Sequence, residues 1–225
     1  EYRRDPALVA FTPYYLRVIR DLAADVANTY ITTGELVLDV ALLRTLNDHV
    51  ADEMSAQAMA LINRDESRHI AIDYHMMEHY ASPEYRARRE QAARVHRGLR
   101  ARAAQAQAFT GMLYHAAPFF RAVFFEPMDA MDPAGRRLHE AFKRMQLLRD
   151  RPGLRELPFS RFLRALQDGF ANPAIRALAG GLLCRAAGLP PRFLQSMTTE
   201  AEREQANRMS FDELAQEALS QKLEN

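Results

Sequence analysis

The stretch NRDESRHIAIDYHMMEHY, residues 63 to 80, reads as one helix and places Glu66 and His69 three positions apart, with Asp73 one turn further along. Residues at i and i+3 project to neighbouring points on a helix face, so a carboxylate and an imidazole spaced in this way can grip one cation. At 100° per residue the same stripe carries Met59, Ile62, Ile70, Met76, Met77 and Tyr80, which marks it as the face turned inward. An unpaired carboxylate in such a place would protonate or move out unless a compensating charge met it. A metal ion is one such charge.

The spacing alone is weak, because composition predicts roughly half an E-x-x-H by chance in a chain like this one. Support comes from the preceding helix, where Glu35 sits in the stripe Ile31, Leu38 and Leu42 and so also faces inward. Helices joined by a short turn pack antiparallel, and Glu35 and Glu66 are centred beside the turn expected at 47–49. An inward glutamate on one helix thus meets an inward Glu-x-x-His on the next, with Gly34 expected to leave room at the crossing. Asp73 is expected to back the ligands or to line a pocket. His75, Glu78 and His79 fall off the inward face and read as solvated, while Tyr30, Tyr74 and Tyr80 read as packing residues.

Glu35 and Asp65-Glu66-Ser67-Arg68-His69 together resemble one half of the ferritin-like dimetal carboxylate proteins, among them the ribonucleotide reductase small subunit, bacterial multicomponent monooxygenases and p-aminobenzoate N-oxygenase. The resemblance covers residues 14–80. It implies that Glu35 and His69 are terminal metal ligands, that Glu66 bridges two metals and acts in catalysis, and that Asp65 and Arg68 orient the ligands from a second layer. It further implies iron as the metal, two ions to a site, with manganese the other candidate, and activation of dioxygen as the chemistry. Carboxylate and imidazole ligation with open positions suits those ions.

The rest of the chain departs from that pattern. Residues 81–225 hold no second E-x-x-H. His139-Glu140 is followed by Lys143 where an imidazole would be needed, and a protonated lysine cannot ligate. Three completions are open: a segment preceding residue 1, a homodimer that brings two copies of Glu35, Glu66 and His69 together across a two-fold axis, or ligands such as Glu90, His115, Glu126 or His139.

The elements that must position these groups are helices. Ala, Leu, Arg, Glu, Gln and Met dominate and no strand pattern persists, so the chain is expected to be an all-α, ferritin-like bundle of long antiparallel helices with additional C-terminal ones. Residues 1–225 are expected to form one domain, with 14–80 the metal-binding pair and 81–225 the remaining bundle and pocket helices. Expected helices are 14–46, 50–80, 84–116, 134–149, 159–169, 173–187 and 199–220. Ser82-Pro83, Asp132-Pro133 and Asn172-Pro173 are expected to start helices, and Ser210-x-x-Glu213 to form a capping box. The Gly180-Gly181 and Gly188 stretch follows no strand, which argues against a phosphate loop.

Composition limits the remaining possibilities. With 225 residues, 48% of them hydrophobic, the chain can bury a sizeable core, and a formal charge of +1 offers no field for nucleic acid or an anionic membrane. The single Cys184 excludes an internal disulfide and a cysteine-built zinc site, which suits the cytoplasm. No uncharged apolar run is long enough for a membrane span. The arginines Arg86, Arg88, Arg89, Arg94, Arg97, Arg100 and Arg102 scatter around a helix and read as a solvated face. The aromatic and methionine-rich stretch 109–131 reads as core or as the wall of an apolar pocket, with His115, Arg121 and Glu126 as pocket residues and Arg121 as a holder of substrate charge.

The expected activity is oxidation of a small aromatic or acyl substrate by dioxygen at a dimetal centre. The alternatives are a ferritin-like structural or interaction protein with an incomplete site, and an iron-binding ferroxidase.

Overall fold

The computed structural model describes residues 4–21, 23–94, 98–187 and 189–223, and among them helices follow one another with no strand. The chain runs α1 (Pro6–Asp21), α2 (Ala24–Leu36), a π-helical segment Val37–Leu43, α3 (Arg44–Asn47), α4 (Glu53–Ala81) and α5 (Pro83–Arg94). It continues through α6 (Leu99–Phe120), a second π-helical segment Arg121–Phe125, α7 (Glu126–Met131), α8 (Arg136–Arg149), α9 (Pro158–Ala171) and α10 (Pro173–Ala187). A 3₁₀ turn, Pro191–Leu194, leads to α11 (Glu200–Arg208) and α12 (Phe211–Leu223). Arg97 and Gly188 lie outside the described residues, as does the side chain of Arg94.

Side-chain caps set many of these boundaries. Ser82 Oγ accepts from the Tyr85 amide at 3.1 Å and Asn172 Oδ1 from the Ala174 amide at 3.0 Å, opening α5 and α10. Ser210 and Glu213 form the expected capping box, and it divides the span 199–220 into α11 and α12. The span 14–46 is likewise two helices, and α6 starts only at Leu99 within the span 84–116. Asp132-Pro133 starts no helix: a turn follows it, and α8 opens after Gly135, whose φ of 63° puts it in the left-handed region. Gly153, at φ 89°, is required for a second reason, since a Cβ there would lie 2.5 Å from the Ala81 carbonyl oxygen.

Burial shows which helices carry the core. In α4 the buried residues are Ile70, Tyr74, Met77 and Tyr80, at helical spacing and all in its C-terminal half, which packs on α2 and α12. The N-terminal half buries nothing, and Met54, Leu61 and Ile62 are exposed. The stripe expected from Met59 to Tyr80 is therefore inward only from Ile70 onward.

The rod formed by α2, the first π segment and α3 is the most enclosed element. Every residue of Val37–Leu43 except Leu38 is buried, and the segment packs on α8. By length and composition Ala24–Asn47 could cross a bilayer, but half of it is buried within the bundle, as a core helix is. A second apolar cluster, built on Phe11, Val18, Tyr30, Met112 and Phe159, joins α1 and α6 to α2 and α9.

Candidate metal centre

Glu35 sits on the last turn of α2, and α4 returns antiparallel after the turn and extended residues at 48–52. This brings Glu35, Glu66 and His69 together: one ligand atom from each lies within 4.8 Å of the others. That separation is close to the roughly 4 Å that two ligands span on either side of one ion. Among the described residues this is the cluster of acidic and histidine side chains able to hold a metal. Glu90, His115, Glu126 and His139 do not join it, so a completion by those four is not seen in the chain.

The three groups differ in exposure. Glu35 and Glu66 are half-buried, and the His69 side chain is 50% exposed, so the cluster opens to solvent on the His69 side. His69 Nδ1–H donates to Glu66 Oε2 at 2.9 Å, and this bond raises the imidazole pKa. Glu35 Oε2 is enclosed and has no hydrogen-bond partner among the described residues. Burial pushes the Glu35 carboxyl up, and the neighbouring charge of Glu66 pushes it further. Two carboxylates held this close, one with an oxygen that nothing among the described residues satisfies, suit a cation better than they suit each other.

Asp73 lies behind the ligands. Burial first, then the charge of Glu35, raises its carboxyl to about 7, against a hydrogen bond with Thr32 that acts the other way. Its Oδ2 is enclosed without a hydrogen-bond partner among the described residues. Tyr15 of α1 reaches the same place: burial raises its phenol, and Glu35 and Asp73 add to the shift. Nothing in the sequence signals Tyr15, because its helix packs on α6 and meets the α2/α4 pair only through tertiary contact.

Other expected site residues lie elsewhere. Asp65 and Arg68 pair with each other at 3.0 Å on an exposed surface, with side chains 65% and 66% exposed, and neither hydrogen-bonds His69. Arg121 pairs with Glu126 at 2.9 Å in the open, so it is not placed to hold a substrate charge inside the protein. His115 stacks on Tyr14 at 4.6 Å. None of these three lines the apolar cavity described below. The arginine face is also not wholly solvated, because Arg89 Nη1 donates to the fully buried Asp25 at 3.4 Å.

Gly34 does not mark a tight crossing, since a Cβ there would meet nothing within 4 Å. Gly34→Ala should therefore stabilise the protein by about 1 kcal/mol through helix propensity alone. Urea unfolding checks this, and a loss of stability would mean that α2 must bend or be approached closely at that point.

Beside the cluster lies a mostly apolar cavity of about 110 Å³, walled by Tyr30, Leu36, Met77, Phe120, Phe142 and Phe159 among others. Part of the wall, including Phe120 and Phe125, comes from the aromatic stretch 109–131. Thr32 lines the cavity and also acts on the Asp73 carboxyl, so the cavity and the charged cluster meet at this residue.

Comparison with protein-family models, with curated proteins and with solved structures finds no match for the chain.

Proposed function

With these side chains as the only guide to its chemistry, we propose that the chain holds a redox-active divalent metal, iron or manganese, at Glu35, Glu66 and His69, and acts as a dimetal oxygenase or oxidase on a small organic molecule. One observation carries this reading: the enclosed, unsatisfied Glu35 Oε2 beside a second carboxylate and an imidazole, all within 4.8 Å. Ions bound there would supply open coordination positions for dioxygen and the electrons to activate it.

The chain supplies one glutamate and one Glu-x-x-His. Two copies related by a two-fold axis supply two of each, which is the full complement of a ferritin-like dimetal site. The exposed side of His69 and the exposed Ile62 on the same stripe, 43% accessible, are where that second set would be presented.

The surrounding residues have separable roles. Glu35 and Glu66 neutralise the cation and His69 completes the donor set. Asp73, with a pKa of about 7 and next to Glu35, is poised to take up or release a proton beside the cluster. The apolar cavity beyond Thr32 would take the organic body of the substrate.

The test is elemental analysis of protein from iron-supplied cells together with melting before and after chelation. About one iron per chain, lost on chelation with a fall in melting temperature, is the expected result.

A second reading is favoured by the 2.9 Å bond between Glu66 and His69. The pair then satisfies itself, and the protein is a structural or interaction partner of ferritin-like shape. Absence of iron with unchanged melting after chelation would select it. Iron taken up and oxidised without turnover of any organic substrate would select a ferroxidase.

A further inference from the structure

The acidic residues of this chain are unevenly spread. Of 225 residues 29 are acidic, yet residues 91–125 and 169–199 contain none, while arginines continue through both stretches. The formal charge of +1 therefore conceals a local cationic bias. The two stretches hold α6 and α10, which pack against each other.

α10 turns an apolar ridge outward. Ile175, Leu178 and Leu182, at i, i+3 and i+7, fall on one side of the helix and are 43%, 90% and 69% exposed. The same side otherwise carries Ala174 and Gly181, both exposed, so no larger side chain shields the leucines. The other side meets the protein, with Gly180 buried and Leu183 half-buried. Arg185 ends the ridge and Arg176 flanks it, 5.9 Å above the Phe170 ring. Both arginines are exposed, and neither has an acidic partner among the described residues. On α6, Leu99 and Tyr114 are exposed as well, together with Arg100 and Arg102.

Three properties select what covers this ridge. A leucine exposed by nine-tenths projects from the surface, whereas a docked peptide or helix is received in a groove. The exposures amount to about two whole aliphatic side chains, well short of the roughly 800 Å² per partner that a stable protein interface buries. The charges around the ridge are of one sign, which complements anionic headgroups. An apolar helical stripe edged by arginine is the pattern that settles at the boundary of headgroups and acyl chains.

We propose that α10, with α6 beside it, docks the protein on an anionic lipid surface, Leu178 and Leu182 entering the acyl boundary and Arg176 and Arg185 meeting lipid phosphates. The contact is peripheral, since α10 has 15 residues and too few to span a bilayer. It is independent of the metal reading.

Co-sedimentation of the metal-free chain with vesicles provides the test. Vesicles of phosphatidylcholine containing about 30% phosphatidylserine should bind the wild-type chain about tenfold more tightly than vesicles of phosphatidylcholine alone. The double variant Leu178→Gln, Leu182→Gln, which keeps helix propensity, should bind the anionic vesicles about tenfold more weakly. The double variant Arg176→Gln, Arg185→Gln should lose most of the preference for the anionic vesicles. Circular dichroism confirms that each variant is folded. No binding to the anionic vesicles, or binding that the leucine changes leave untouched, would overturn the proposal. So would self-association in sedimentation velocity that the leucine changes alone abolish, because the ridge would then cover a second copy of the chain.

Discussion

Glu66→Ala should lower iron affinity at least a hundredfold and leave the helical content of the metal-free protein unchanged. The expected size follows from its position: it is one of two carboxylates in a three-ligand cluster, and even partners outside the ligand shell change affinity by 10- to 100-fold. The metal-free protein should lose little. The bond to His69 lies at a half-open surface and is worth about 1 kcal/mol or less, and removing Glu66 relieves the repulsion that raises the Glu35 carboxyl. Iron titration followed by absorbance, with far-ultraviolet circular dichroism on the same samples, measures both effects. Asp65→Ala is the control, because Asp65 pairs only with Arg68 in the open and should change affinity far less. If helix is lost on the Glu66 change, the carboxylate is structural and the metal reading falls.

Asp73→Asn should stabilise the metal-free protein by about 2–4 kcal/mol at pH 8 and by less than about 1 kcal/mol at pH 4. The direction follows from linkage. The folded carboxyl titrates near 7, and its unfolded value is the ordinary 3.8. Well below pH 4 the group is protonated in both states and carries no penalty. Between the two values the unfolded chain ionises and the folded one resists, so wild-type stability falls as pH rises, and above about pH 7 the full penalty is present. A shift of about three units at 1.36 kcal/mol each sets the upper end of the range. Asparagine keeps the shape and removes the titration. Urea unfolding of both proteins at pH 4 and pH 8 gives the answer, and parallel pH profiles would show that Asp73 is ordinarily hydrated.

How far the sequence could be read depends on whether a feature is local. Ser82, Asn172 and the Ser210–Glu213 pair act within one helical turn, and each was legible as a cap. The meeting of Glu35 with Glu66 and His69 was legible because it needs only two helices and the short turn between them. Tyr15 was not, since α1 reaches α2 only through tertiary packing. Asp65 and Arg68 were assigned by resemblance, and in the chain they satisfy one another at the surface. The inward stripe of α4 failed before Ile70 for a different reason: periodicity shows which residues share a side of a helix, not whether anything covers that side.

The π-helical segment Val37–Leu43 has a mechanical consequence for this centre. A wide turn holds a surplus residue relative to the ordinary helical screw. The wide turn absorbs that residue with little net rotation, whereas the same residue kept in an ordinary helix would turn one end against the other by about 100°. Glu35 lies on one side of the segment, and Val40 to Leu43, wedged against α8, occupy it. The rod can therefore grip the interior and keep its acid beside Glu66 at once because the wide turn takes up the surplus residue, which regular winding would convert into a rotation that parts folding from chemistry.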